Sequence, residues 1–267
     1  MTLLNINLDH LPIIWVGFVA SLVSGLATGL GAIPVFFLRT LSAKVQDILL
    51  GFSAGIMLSA TFFSLILPGL EYAKETVSGN LQAAVIVSGG ILLGAVVLWI
   101  AHRFAPHEHF VTGKEGLDVA GLRRVWLFVI AITLHNVPEG LSVGVGFSGG
   151  DIGNGIALMI GIGVQNIPEG LAVAAALAAL GYSKSQSFLI ALGTGLVEPV
   201  GGVIGVSAVS LVHMLQPWGL SFAAGAMLFV ISDEIIPETH RSGYADQATF
   251  ALLTGFVIMM MFDFAVG

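Results

Sequence analysis

The sequence predicts an all-α integral membrane protein with eight transmembrane helices, and two features of the whole chain lead to that class. Hydrophobic residues make up 56% of the 267 residues and charged residues only 9%, whereas a soluble domain carries about 25% charged residues. The apolar residues also fall into stretches of roughly 17 to 25 residues, the length that a helix needs to cross a bilayer. Most of the chain is therefore expected to contact lipid.

Eight such stretches follow one another and are predicted to form one transmembrane domain over residues 1–267. They lie near residues 13–38, 46–70, 82–104, 124–147, 153–180, 186–212, 217–238 and 246–265. The loop that follows the third span, 105–123, carries histidines. An even number of spans places both termini on the same side of the membrane.

The basic residues predict which side that is, because cytoplasmic loops are enriched in Lys and Arg. With the N-terminus outside, the outer loops hold only Lys74. The inner loops then hold Arg39, Lys44, Arg103, Lys114, Arg123, Arg124, Lys184 and Arg241. We therefore expect both termini outside, a cytoplasmic loop 105–123, and a plasma membrane or bacterial inner membrane as the location.

Composition also narrows the classes of function. The chain has no Cys, so His, carboxylate, amide and thioether groups remain as metal ligands. A net charge of −7 argues against a nucleic acid partner, because phosphate binding needs a basic face. His-Glu-x-x-His does not occur, which disfavours an intramembrane metal-dependent hydrolase. We expect no enzyme and no organic cofactor.

Three acidic residues inside predicted spans are the most informative feature. Glu139 and Glu169 belong to two related strings, His-Asn-Val-Pro-Glu-Gly at 135–140 and Gln-Asn-Ile-Pro-Glu-Gly at 165–170, and Glu198 lies in the sixth span. A charged side chain at the centre of a bilayer costs about 2.5 to 3.5 kcal/mol. The only basic residues within the predicted bounds, Arg103 and Arg124, stand at the inner ends of their spans, so none faces these acids at mid-membrane. Either these acids are protonated or structural, or a bound cation compensates them.

Helical spacing favours the bound cation. On a helix, His135, Asn136 and Glu139 share one face because they are three or four residues apart. The same spacing groups Gln165, Asn166 and Glu169, and a short connection makes the two spans antiparallel neighbours. Pro138 and Pro168 leave backbone carbonyls unpaired next to these positions, which is tolerated where a helix lines a polar path. The pattern predicts a divalent metal site near mid-membrane.

These strings, together with Glu-Pro on the sixth span, resemble the Zrt/Irt-like (ZIP) divalent-metal transporters, in particular their GufA-like branch. The resemblance covers essentially the whole chain. It implies an inverted repeat in which spans 1–3 mirror spans 6–8 around the central pair 4–5. It also implies uptake of zinc, and often of iron, manganese or cadmium, into the cytoplasm, with central spans that slide past the rest.

The resemblance further implies two metal positions at the centre. One metal would be held by His135, Glu139, Gln165 and Glu169, with Met57 of the second span as a further ligand. The second would be held by Asn136, Asn166, Glu139, Glu169 and Glu198. Many ZIP relatives carry a fifth-span pattern like His-Glu-x-Pro-His-Glu, whereas this chain has Gln165, Asn166 and Gly170 there. Fewer anionic ligands predict weaker binding, so the preferred metal and the simultaneous occupancy of both positions stay open.

Other polar groups suggest an exit and an entrance for the metal. The exit candidates are His102, His107 and His109 around the cytoplasmic loop, and Asp233, Glu234, Glu238 and His240 at the inner end of the seventh span. Glu71 and Asp263 are entrance candidates, because acidic groups concentrate cations by their field. Each group has an ordinary alternative as solvated surface. A passive divalent-cation channel also remains open as a function, and the sequence is compatible with a homodimer.

Overall fold

The computed structural model describes residues 11–37, 41–104, 119–148, 152–211 and 213–266, although the side chains of 102–104 and most of those of 119–131 lie outside the description. All regular elements in these ranges are helical. Seven of the helices searched are long and apolar enough to cross a membrane. The prediction of an all-α membrane protein is thus confirmed for the described residues. The predicted fourth span lies within a further helix, Val119–Ser148.

Eleven α-helices follow one another in the described ranges. They are α1 Ile13–Ala32, α2 Ala43–Ala60, α3 Leu67–Thr76, α4 Asn80–Phe104, α5 Val119–Ser148, α6 Ile152–Ala179, α7 Lys184–Gly195, α8 Glu198–Leu211, α9 Gln216–Val230, α10 Ile236–Thr239 and α11 Ala245–Val266. A 3₁₀ turn, Ile33–Phe36, extends α1. The π-helical segment Thr61–Ile66 joins α2 to α3, and the π-helical segment Ile231–Ile235 joins α9 to α10.

Proline accounts for both π-helical segments. Pro68 and Pro237 stand at the second position of the helix that follows each segment. Because proline has no N–H, the carbonyl four residues earlier loses its helical partner, and the turn widens around it. In α9–α10 this widening falls on the turn that carries Asp233 and Glu234.

The predicted span 186–212 is interrupted rather than continuous. α7 ends at Gly195 and α8 begins at Glu198, so two residues form a turn inside the apolar stretch. Pro199 favours this break, because it is accommodated in the first turn of a helix but disrupts a helix interior. The break places Glu198 at a helix N-terminus, where backbone N–H groups and the helix dipole favour a carboxylate.

Glycines hold the helices together in two groups. A Cβ added at Gly31 would overlap the carbonyl oxygen of Ile167, and one at Gly170 would overlap that of Thr28. Such backbone contacts, permitted only by small residues, join α1, α5, α6, α7 and α8 into a first bundle. Equivalent contacts join α2 to α11, as at Gly55 on the carbonyl of Leu252, and α4 to α9, as at Gly225 on the carbonyl of Ile91. With α3 and α10, which pack beside them, these helices are called the second bundle.

The glycine contacts recur at fixed distances along the chain. Gly31 and Gly201 are 170 positions apart, and so are Thr28 and Glu198, the residues that Gly170 and Gly140 contact. In the second bundle, Gly55 contacts the carbonyl of Leu252 and Gly225 that of Ile91; the two glycines are again 170 positions apart, and the two contacted residues are 161 apart. Two similar strings in the sequence are also 170 positions apart: Phe-Ser-Ala-Gly-Ile-Met-Leu at 52–58 and Phe-Ala-Ala-Gly-Ala-Met-Leu at 222–228. Two parts of the chain therefore pack in the same way.

Candidate metal site

The two motif helices bring their polar residues together inside the first bundle. His135, Asn136 and Glu139 of α5 are almost completely buried. Gln165, Asn166 and Glu169 of α6 are equally buried. The amide Nε2 of Gln165 donates a hydrogen bond to Oε1 of Glu139, which joins the two helices directly at the motif. The six residues that helical spacing grouped on two faces therefore belong to one buried cluster.

Glu198 reaches this cluster from the N-terminus of α8. Ser24 of α1 donates from Oγ to Oε2 of Glu198 at 2.5 Å. Asn166 donates from Nδ2 to Oε1 of Glu198 at 2.6 Å, and the same amide also lies 3.0 Å from the backbone carbonyl of Ser24. Both oxygens of this carboxylate thus accept hydrogen bonds from neutral protein groups, and α1, α6 and α8 are tied together there.

Helix α2 closes the cluster from the second bundle. Ser53 donates from Oγ to Oε1 of Glu169 at 3.0 Å, and its hydroxyl lies 3.1 Å from the backbone carbonyl of Gln165. Met57, one turn further along α2, is fully buried. Met57 is four residues from Ser53 and so shares its face of α2.

Several ligand-type oxygen atoms in the cluster have no hydrogen-bond partner in the described structure. They are Oε2 of Glu139, Oε2 of Glu169, Oε1 of Gln165, Oδ1 of Asn136 and Oδ1 of Asn166. Leaving a buried polar atom unpaired costs about 1 to 3 kcal/mol, so five of them at one place are unusual unless something binds there. Each of the two motif glutamates has one oxygen held by a protein donor and one oxygen free.

The negative charges of the cluster also favour a bound cation. Glu139 lies close enough to Glu169 and Glu198 for mutual repulsion when they are ionised, and a cation between them would relieve it. Among the described residues, no three His, Cys, Asp or Glu side chains form a metal-binding group on their own. A metal bound here would also need the free amide oxygens of Asn136, Gln165 and Asn166 as ligands, and divalent ions accept oxygen and nitrogen ligands of these kinds.

One of the predicted exit residues lies at this cluster. Oε2 of Glu234, in the π-helical segment after α9, stands 2.6 Å from Nε2 of His135. Two other members of that set have other partners. Glu238 accepts a hydrogen bond from Arg241, at 2.7 Å, and Nδ1 of His240 lies 2.9 Å from the hydroxyl of Thr239.

The remaining predicted residues are distributed as follows. Asp263 of α11 accepts a hydrogen bond from Ser64 of the first π-helical segment, whereas Glu71 on α3 is exposed. His107 and His109 lie outside the described residues, and so does the side chain of His102. Asp233 occupies the π-helical segment beside Glu234 and is partly buried.

Two serines of the site were not predicted from the sequence. Ser24 and Ser53 donate to Glu198 and Glu169, but a serine in a membrane helix is common and often bonds only to its own helix, as Ser21 does to Gly17. For Ser53, the sequence offers one indication: it lies in one of the two similar strings at 52–58 and 222–228. Ser24 lies in neither string.

Comparison with known proteins agrees with this architecture. The model of the ZIP zinc transporter family matches residues 105–263. The zinc transporter GufA of Myxococcus xanthus is 47% identical over 94% of this chain and 99% of its own length. The zinc transporter ZIPB of Bordetella bronchiseptica is 47% identical over 90% of this chain and 78% of its own length. Human zinc transporter ZIP11 is 33% identical over 90% of this chain and 94% of its own.

A helical membrane fold with a buried cluster of carboxylate, imidazole and amide groups defines a membrane transporter of metal ions. The chain belongs to the ZIP family of zinc transporters and is GufA-like within it. It is a transporter rather than an enzyme, and the resemblance drawn from its motifs is confirmed.

Proposed function

We propose that this protein carries zinc into the cytoplasm through the cluster formed by α5, α6 and α8, by alternating access. The five buried oxygen atoms without partners carry this proposal, because a dehydrated divalent cation supplies what all five lack. The names of the similar proteins favour zinc as the transported ion. Oxygen and imidazole ligands also bind cadmium, iron and manganese, which we propose are transported less well than zinc.

Two adjoining positions account for the proposed ligands. The first position takes His135, Glu139, Gln165 and Glu169, with Met57 above it. The second takes Asn136, Asn166 and Glu198 and shares Glu139 and Glu169. Because both oxygens of Glu198 already accept hydrogen bonds, a metal in the second position competes with the amide of Asn166 for this carboxylate. We therefore propose that the first position binds zinc more tightly.

We also propose eight spans with an inverted repeat, both termini outside. The spans are α1, α2–α3, α4, α5, α6, α7–α8, α9–α10 and α11. The spacing of 170 residues supports the repeat, because it equates spans 1 and 2 with spans 6 and 7. The second unit begins five spans after the first, an odd number, and so crosses the membrane in the opposite direction.

The repeat also pairs the proposed entrance with the proposed exit. Ser64 is equivalent to Glu234 at a separation of 170 residues, and Asp263 is equivalent to His102 at 161, the separation that equates Leu252 with Ile91. Ser64 and Asp263 would therefore guide zinc inward, and Glu234 with His102 and Asp233 would receive it. Glu71, Glu238 and His240 would act through their charge or by transient binding where the metal enters and leaves.

The division into two bundles supports alternating access. Every described glycine that would collide with a backbone carbonyl does so within one bundle. Across the boundary the neighbours of glycine are side chains, with the methyl of Met259 lying 2.7 Å from a Cβ placed at Gly161. Backbone contacts fix helices together, while side chains can repack. We infer that the first bundle moves as a unit against the second, as inverted-repeat transporters do.

Zinc binding by charge-removing variants tests the proposed function. Glu139→Gln and Glu169→Gln keep the shape of each side chain but remove the anion, so zinc affinity should fall at least about a hundredfold and uptake into proteoliposomes should become undetectable. Glu75→Gln, an exposed acid on α3, is the control and should behave as the parent. Parent-like affinity and uptake in either motif variant would exclude the glutamates as ligands.

A cysteine reporter separates a transporter from a channel. The chain has no Cys, so Ala172→Cys, one turn beyond Glu169, gives a single reactive thiol. Alternating access predicts labelling by an impermeant maleimide from one side at a time, with a preference that zinc changes. Simultaneous labelling at high rate from both sides would instead identify a continuous pore.

A further inference from the structure

Polar contacts of the site cross from one bundle to the other at Ser53 and at Glu234. Ser53 of the second bundle donates to Glu169 of the first, and Glu234 of the second lies against His135 of the first. Every other hydrogen bond that holds a site carboxylate, from Ser24, Gln165 or Asn166, stays inside the first bundle. If the bundles slide, the contacts of Ser53 with Glu169 and with the carbonyl of Gln165 must break, and so must the contact of Glu234 with His135.

The repeat shows what replaces each crossing contact once the bundles have moved. In a protein built from two inverted units, the opposite state is obtained when each unit takes the arrangement of the other. His135 and Glu234 are then replaced by their equivalents Gln165 and Ser64, which can hydrogen bond to each other. Ser53 and Glu169 are replaced by Ala223 and Glu139. Alanine has no donor, so this bond is lost without a substitute.

We propose that Ser53 is a positioning residue that holds the zinc-free protein in the state seen here, and that Ala223 is the place where the opposite state lacks the same bond. The proposal rests on the alternating access inferred above. Ser53 satisfies Oε1 of Glu169 and leaves Oε2 free for the metal. Zinc bound to this carboxylate draws charge away from Oε1 and weakens the bond to Ser53. Metal binding therefore releases the first bundle.

The asymmetry has a functional consequence. A transporter with equal bonds in both states would rest in either one when empty. Here the empty protein rests in the state with the Ser53 bond, so zinc is the signal that starts the movement. Ser53 is fully buried, which excludes water as a competing donor and makes the loss of its bond consequential.

The test uses the Ala172→Cys reporter in proteoliposomes, in the presence of a zinc chelator. The quantity measured is the ratio of thiol labelling rates from the two sides of the membrane. Ser53→Ala removes the bond, and Ala223→Ser adds its mirror image opposite Glu139. Both variants should move the ratio in the same direction, each by about threefold to tenfold, the range expected for one buried hydrogen bond in a membrane protein.

Ser59→Ala is the matched control, because Ser59 is a buried serine of the same helix whose hydroxyl has no hydrogen-bond partner in the described structure. It should leave the ratio unchanged. Added zinc should move the ratio of the parent, and should move that of Ser53→Ala by less, since that protein has already left the resting state. Thiol content after denaturation and a single gel-filtration peak establish that each variant is folded.

The outcomes separate this proposal from the one it rests on. The proposal is overturned if the ratio for Ser53→Ala or Ala223→Ser equals that of the parent while zinc still moves the parent's ratio. It is also overturned if Ser59→Ala moves the ratio as far as Ser53→Ala. A parent protein labelled from both sides at once, with no response to zinc, overturns alternating access itself.

Discussion

The three intramembrane glutamates are chemically different, although all are buried. Glu139 and Glu169 each keep one oxygen without a hydrogen-bond partner in the described structure, whereas Glu198 has both oxygens occupied by Ser24 and Asn166. In the proposed site, a metal would meet two carboxylates with a free oxygen and one whose oxygens both accept hydrogen bonds. The residue that decides whether Glu198 takes part is therefore Asn166, whose amide donates to it and whose own oxygen is free.

Changing Asn166 to Asp should make stability depend strongly on zinc. Without metal, Asn166→Asp loses two hydrogen bonds and faces Glu198 with a second carboxylate, so unfolding free energy should fall by roughly 2 to 4 kcal/mol. With metal, the added anion strengthens the second position, and zinc should raise the melting temperature by more than it does in the parent. Thermal unfolding with and without zinc, together with bound zinc per chain, measures both effects.

Asn154→Asp provides the comparison for this substitution. Asn154 is a buried asparagine on the same helix, about three turns before Asn166 and outside the cluster. Its change to Asp should alter stability equally with and without zinc. A zinc-induced rise in melting temperature that is the same for Asn166→Asp and the parent would contradict the placement of Asn166 at a metal position.

Acid should weaken zinc binding, because imidazole and carboxylate groups bind the metal only when deprotonated. Protons and zinc compete for His135, Glu139 and Glu169, so affinity should fall steadily from about pH 8 to about pH 5, the range that includes histidine titration. Calorimetric titrations in buffers of different ionisation enthalpy should detect protons released on binding. An affinity that stays constant over this range would be inconsistent with these ligands.

At the level of helices, the prolines help to determine where Glu198 and Glu234 lie. Pro199 favours a break in the predicted sixth span that presents Glu198 at the first position of α8. Pro237 follows the π-helical segment that carries Glu234. Pro138 and Pro168, by contrast, lie inside α5 and α6, which remain helical through the motif. The same residue therefore has three structural outcomes, set by the packing around it.

Replacing Pro199 should join α7 and α8. Pro199→Ala restores an N–H that can bond to the carbonyl of Gly195, so residues 196–198 should become helical and Glu198 should turn away from Ser24 and Asn166. Zinc affinity should fall by about tenfold, the loss of one ligand of several, and amide exchange at 196–199 should slow. Hydrogen-exchange mass spectrometry and zinc titration measure the two effects.

Pro217→Ala is the control for this change, because Pro217 also stands in the first turn of a helix, α9. That end of α9 contributes no residue to the cluster in the described structure. Pro217→Ala should leave zinc affinity unaltered. Unchanged affinity in Pro199→Ala, accompanied by slower exchange at 196–199, would show that the break does not serve metal binding.

For the whole molecule, composition and helical spacing were sufficient to predict a helical membrane protein and to group the motif residues. Hydropathy reports lipid contact and spacing reports a shared face, and both are local properties. The contact of Glu234 with His135 and the bonds from Ser24 and Ser53 depend on how distant helices pack. That packing follows the glycine positions, and its trace in the sequence is a separation of 170 residues that no local pattern detects.

Cross-linking can test whether the two bundles move relative to each other. Gly161 of α6 faces Met259 of α11 across the boundary between the bundles, and Gly29 of α1 faces Leu192 of α7 within the first bundle. In each pair a Cβ added at the glycine lies within 2.7 Å of an atom at the end of the facing side chain. Since the chain has no Cys, each pair can be replaced by two cysteines and joined by a short bifunctional thiosulfonate.

If the first bundle slides, joining Gly161→Cys to Met259→Cys should abolish zinc uptake, and a reducing agent should restore it. Joining Gly29→Cys to Leu192→Cys should leave uptake near the level of the reduced protein, because both helices move together. The measurement is zinc uptake into proteoliposomes before and after reduction, with cross-linking yield determined on the same sample. Equal uptake through both joined proteins would mean that zinc crosses without relative movement of the bundles, since a fixed pore conducts whether or not its walls are tied.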